Sequence, residues 1–170
     1  KYFYEYGTTL SGLMKQDGID PHDFLEFVHN IDISWLPKDL KLKEELIKIK
    51  EKKYIFTNGS HAHVDNITKQ LGIDGLFDGV FDIVDANFVP KPHINPYNKI
   101  IEKFDIEPTK SILIEDIAHN LEQAKKLGMK TCWLENDEAF AKKDANKPYI
   151  DYKIKDLPSF LQEINILKAA

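Results

Sequence analysis

The chain holds a single cysteine, Cys132, so no internal disulfide is available and a reducing, cytoplasmic setting is expected. It has no uninterrupted apolar run long enough to cross a bilayer and no signal-peptide pattern, which speaks against a membrane partner. Its lysines are scattered among Asp and Glu instead of forming a basic stripe, so the electrostatic footprint of a nucleic-acid binder is missing. A phosphate-bearing small molecule stays open, because one local positive site is enough for it. Internal repeats and low-complexity segments are also lacking.

What is present is ordinary for a globular protein: 170 residues, 42% hydrophobic and 30% charged, with a formal net charge of -5. That length supports one domain with a core, or one domain and a small appendage. Two regions differ in texture. Residues 1–53 are mostly helical in pattern, with Phe24, Phe27 and Val28 in one apolar stripe and Leu42, Leu46 and Ile49 in another. Asp20 before Pro21, and Asp39 in "LPKDLKLKEEL", read as helix caps. From residue 54 to 170, short apolar runs alternate with helical patterns. Strands are expected at 54–57, 80–84, 111–115, 131–134 and 152–154, and helices at 61–71, 96–104, 118–127 and 158–166, with Gly72 and Gly128 as C-terminal caps. Such alternation predicts an α/β fold with a Rossmann-like parallel sheet flanked by helices.

In such a sheet ligands gather at the carboxyl ends of the strands. The first strand ends in "TNGS", where Thr57, Asn58, Gly59 and Ser60 lead into a helix. Hydroxyls, helix N–H groups and a glycine that admits close approach suit a phosphate, while the plain alternative is an N-cap by Ser60 or Asn58. Lys91 in "VPKPH" lies on a stiff extended backbone suited to aiming an ammonium at an anion, and His93 lies two residues on. The strand "SILIE" ends in Glu115 and Asp116, with Asn120 one helical turn beyond. Two adjacent carboxylates repel, and a hard cation ligated by oxygen would relieve them; capping of the next helix is an equally good explanation of this stretch alone. The "HAH" pair, His61 and His63, lacks the partners of a zinc set and reads as surface or capping histidines.

A Thr, a Lys and an acidic pair at strand tips occur both in receiver domains of signalling systems and in another family. Receivers place the acidic pair first and a phospho-accepting Asp, here Asp116, before the Thr and Lys; the order here is Thr57, Lys91, Glu115-Asp116. "IFTNGS", "PKP" and "ILIEDIAHNLEQAKKLGMKTCWL" resemble, in that order, the second to fourth motifs of the haloacid dehalogenase-like phosphatases. "YGTTLSGLM" with "FVHNIDIS", "FTNGS" before His and Ala, "EDIAHNL" and "LGMKT" resemble the pyrimidine 5'-nucleotidase branch, over residues 2 to about 134.

The resemblance implies residue roles. Thr57 would bind the transferred phosphoryl group, Asn58 and Gly59 would shape its loop, and Lys91 would neutralise charge. Asp116 would hold Mg2+, with Glu115 and Asn120 supporting the metal or its waters. Residues 1–53 would be a partial helical cap that selects substrate, with Tyr6, Thr8, Thr9 and His29 as candidates, and residues 54–170 the core. The substrate class implied is a nucleoside monophosphate or similar small phosphate ester.

The family's first motif, D-x-D-x-T/V, carries the nucleophile and is absent. Asp82 and Asp85 in "DIVDANF" have the wrong spacing, and "IDIS" holds one Asp. The expectation is therefore a truncated chain that lacks a central strand and is inactive alone. The alternative is a non-catalytic binding or scaffold protein with the same fold.

Overall fold

The computed structural model describes residues 2–169 of the chain. They form two compact units, Lys1–Pro90 and Lys91–Ala170. The division falls well after the change of texture at residue 53, because the first strand and its following helix pack with the helical segment into one unit.

The first unit opens with four helices, α1 (Tyr2–Tyr6), α2 (Thr9–Asp17), α3 (Pro21–His29) and α4 (Leu40–Lys48). Their starts follow from side-chain caps. Thr8 accepts the Ser11 N–H, Asp20 accepts those of His22 and Asp23 ahead of Pro21 at the first turn, and Asp39 accepts that of Leu42. Leu42 and Leu46 of α4 are buried, as their spacing predicts. In α3 the buried residue is Leu25, while Phe27, expected in the apolar stripe, is 81% exposed. A nine-residue helix with apolar side chains at 24, 25, 27 and 28 has a band wider than the one stripe it can turn inward.

Strand β1 (Tyr54–Phe56) then pairs in parallel with β2 (Gly79–Phe81), and α5 (His61–Leu71) connects them. Ser60 caps the start of α5, and Gly72, at φ +75° in the left-handed region, ends it. Strand β2 is shorter than the expected 80–84. Asp82, buried at the strand's end, accepts the Val84 and Asp85 N–H groups through Oδ1 at 2.9 Å each and bends the chain into a turn before the ladder can continue.

The second unit holds α6 (Ile94–Phe104), β3 (Ile112–Glu115), α7 (Leu121–Lys126), β4 (Lys130–Leu134), β5 (Tyr152–Ile154) and α8 (Leu157–Ala169). Its strands form a parallel sheet in the order β3-β4-β5, with Glu115 opposite Trp133. Among the described residues the five strands thus pair as two parallel sheets, not as one. The helix expected from Ala118 begins as a 3-10 turn, Ala118–Asn120, before α7. Ala118, Leu121 and Trp133 form a buried cluster on which Leu113, Ala145, Tyr149 and Ile150 pack, so apolar side chains back the region around β3 and β4. Among the described residues no helix is long and apolar enough to cross a membrane.

Candidate functional site

In the first unit the tip of β1 is fixed by backbone and side chain together. The Thr57 N–H donates to the Phe81 carbonyl at 3.0 Å, extending the parallel ladder by one residue, and the Ile83 N–H donates to the Gly59 carbonyl at 3.1 Å. Thr57 Oγ1 accepts the Gly59 N–H at 2.9 Å, which bends the loop around the hydroxyl and leaves the hydroxyl proton to donate. A Cβ at Gly59 would lie a tight 3.3 Å from Thr57 Oγ1 and in ordinary contact, 3.6 Å, with His29 Nε2, so the glycine keeps the space beside the hydroxyl open. Asp82 Oδ2 accepts the His61 N–H at 2.9 Å and ties the β2 turn to the start of α5. With its other oxygen on Val84 and Asp85, Asp82 is a backbone clamp and not a stand-in nucleophile.

The four cap candidates of the helical segment occupy different surroundings. Tyr6 donates to Glu5 and accepts from Gln16, Thr8 caps α2, and Thr9 is exposed on its first turn. His29, the last residue of α3, reaches the β1 loop. Its Nδ1 lies 2.8 Å from Ser60 Oγ, and its ring stacks on that of His63 with centroids 4.3 Å apart at 17°. Burial, and then the neighbouring His63, lower the pKa of His29; burial lowers that of His63. His61, by contrast, is exposed, 3.8 Å from Asp65.

In the second unit, Lys91 and Glu115 form a buried ion pair at 2.5 Å, their side chains 5% and 7% exposed. Glu115 Oε1 accepts from Asn120 Nδ2 at 3.1 Å and from the Ile117 N–H at 3.4 Å, so both oxygens of this carboxylate are engaged. Tyr97, 1% exposed, donates its hydroxyl to the Asn120 carbonyl, which fixes the turn that carries Asn120. Asp116 points elsewhere. It is exposed, its backbone carbonyl accepts from Trp133 Nε1 at 2.8 Å, and its Oδ2 accepts from Asn136 Nδ2 at 3.2 Å. The two neighbouring carboxylates therefore avoid each other: one is neutralised inside, the other faces solvent.

Three of the sequence candidates, Lys91, Glu115 and Asn120, meet in one network, and Thr57, Gly59 and His29 meet in another. Asn58 sits in the β1 loop, half-buried, and His93 is exposed at the start of α6. Sequence reasoning missed Tyr97, Asn136 and Trp133. Among the described residues no group of three or more His, Cys, Asp or Glu side chains is arranged to hold a metal ion. A hard cation fits Asp116, an exposed carboxylate at a strand tip, better than Glu115, whose oxygens are taken.

The model of the haloacid dehalogenase-like hydrolase family matches residues 13–134. The chain is 30% identical over 139 residues to glyceraldehyde 3-phosphate phosphatase of Pyrococcus furiosus, covering 79% of this chain and 57% of that protein. It is 32% identical over 126 residues to pyrophosphatase PpaX of Bacillus mycoides, covering 72% of this chain and 57% of that protein. The chain thus spans little more than half the length of these relatives. Among solved structures, the magnesium-bound HAD-hydrolase YfnB of Bacillus subtilis superposes with a TM-score of 0.60 at 19% identity, over 97% of this chain and 67% of that one. The motif order at the strand tips, the α/β fold and the family match agree, and the chain belongs to the haloacid dehalogenase-like hydrolase family.

Proposed function

We propose that this chain is part of a phosphomonoester hydrolase that works through an aspartyl-phosphate. The observation that carries the reading is the buried Lys91–Glu115 pair at the tip of β3: an ammonium is held at a fixed place by a carboxylate that is itself oriented by Asn120 and Ile117. Phosphoryl transfer asks little of a protein beyond fixed positive charge and an in-line nucleophile, and fixed charge acts without reorganisation at the moment of reaction. That two relatives carry phosphatase and pyrophosphatase in their names supports the same chemistry.

In this reading Thr57 donates its hydroxyl to a phosphoryl oxygen, and Asn58 and Gly59 shape the loop so that backbone N–H groups are within reach. Lys91 offsets the charge of the phosphate and of the nucleophile, while Glu115 and Asn120 hold Lys91 in place. Asp116 is the residue we assign to Mg2+, which when bound would offset the negative charge of the phosphoryl group. The attacking Asp is supplied from outside these 170 residues, since no D-x-D motif occurs within them. Its carboxylate displaces the ester oxygen from phosphorus, and water then cleaves the acyl phosphate to release inorganic phosphate.

The substrate proposed is a small phosphate ester, with nucleoside 5'-monophosphates of pyrimidines first. The likeness of "YGTTLSGLM", "FTNGS" and "EDIAHNL" to that branch supports this choice. A longer form carrying an upstream D-x-D motif, assayed with Mg2+ against a panel of nucleotides and sugar phosphates, tests it. Pyrimidine monophosphates at the top of the panel are expected; a preference for sugar phosphates or pyrophosphate would refute the nucleotide assignment and leave the phosphatase reading standing.

A further inference from the structure

His29 is separated from the β1 loop by 31 residues of sequence to Ser60, yet its ring is fixed there by two contacts, the 2.8 Å approach of Nδ1 to Ser60 Oγ and the stacking on His63. Ser60 Oγ also accepts the His63 N–H at 3.3 Å as the cap of α5. A serine hydroxyl has one proton, and His29 Nδ1 lies within hydrogen-bond distance of Ser60 Oγ, the donor being set by the histidine tautomer. If Ser60 donates to Nδ1, the neutral imidazole carries its own proton on Nε2. That nitrogen faces the loop: the point where a Gly59 Cβ would stand is 3.6 Å from His29 Nε2 and 3.3 Å from Thr57 Oγ1, so the two donors flank the same backbone position.

We propose that His29 is a phosphate-binding residue, held by Ser60 as the Nε2–H tautomer and donating to the same phosphoryl group as Thr57. The inference rests on the assignment of Thr57 to phosphate binding and extends it. Burial, and then the adjacent His63, lower the pKa of His29 and so favour the neutral ring. A neutral imidazole can still donate one N–H to an oxyanion, and the ring of His63 stacked at 4.3 Å supports the orientation of the His29 ring. The arrangement also gives α3 a direct part in reading the phosphate: the helical segment does more than cover the loop.

The test is nitrogen NMR of the histidine rings in the 170-residue chain, titrated with inorganic phosphate, for the wild type and for Thr57→Ala, His29→Phe, His29→Gln and Ser60→Ala. Without phosphate the His29 ring is expected to show the Nε2–H pattern, and Ser60→Ala to mix the tautomers. Phosphate should shift His29 Nε2. His29→Phe should weaken binding about tenfold or more, whereas His29→Gln, whose amide can donate from a similar place, should stay within about threefold of wild type. A predominant Nδ1–H tautomer, or wild-type phosphate affinity in His29→Phe while Thr57→Ala loses it, would overturn the inference alone. No response to phosphate in the wild type, or the same response in Thr57→Ala, would overturn the Thr57 assignment and the inference with it.

Discussion

Lys91 and Glu115 meet at 2.5 Å with both side chains out of solvent, 24 residues apart in sequence and in one unit of the fold. Removal of one partner takes from the other its buried counter-charge at 2.5 Å. Lys91→Ala and Glu115→Ala are each expected to cost about 3–5 kcal/mol in urea unfolding. Lys91→Met with Glu115→Leu, which removes both charges and keeps the volume, should recover most of that loss. Losses that simply add in the double variant would show that the pair is not the coupled unit described.

Tyr97 is the residue on which the Asn120 turn depends. Tyr97→Phe leaves a buried carbonyl without that donor and is expected to cost about 1–3 kcal/mol. Burial pushes the Tyr97 phenol far above its ordinary pKa, so the hydroxyl stays protonated and this contribution should not vary with pH across the neutral range. Urea midpoints of the wild type and the variant that run parallel between neutral pH and mildly alkaline pH would confirm it.

Acid should act instead through the histidine stack. The pKa of His29 is lowered by burial and then by His63, and that of His63 by burial, so below about 6.5 the unfolded chain binds protons that the folded chain does not. The stability tied to these groups is fully present above about 6.5 and is lost as the pH falls through their folded-state values. The unfolding midpoint of the wild type should therefore drop more steeply below about pH 6.5 than that of a His29→Gln, His63→Gln double variant. Equal slopes would place the acid sensitivity elsewhere.

What could be read in the sequence was what local chemistry decides. Helix α5 runs over His61–Leu71 as expected because a serine cap and a glycine stop bracket it, and β5 is Tyr152–Ile154 as expected. Glu115 was legible as a candidate because it ends a strand, and Lys91 and Asn120 because each lies in the segment that follows one. Long-range partners were not. Nothing near His29 in sequence announces Ser60 or His63, and Tyr97 reads as one more core aromatic on an amphipathic helix until its hydroxyl is seen at Asn120. Asp82 read as an orphan acid in a failed motif, while three backbone N–H groups were its partners. The pairing of five parallel strands into two sheets was equally hidden, since apolar patterning sets which runs become strands and not which neighbours they take.

The most direct measurement is phosphate release from p-nitrophenyl phosphate with Mg2+, by the 170-residue chain and by a longer form that carries an upstream D-x-D motif. The expected result is no turnover above background by the chain itself and turnover by the longer form that is lost when its first motif Asp is changed to Asn. Clear turnover by the 170-residue chain would contradict the assignment of the nucleophile outside these residues and, with it, the proposed mechanism.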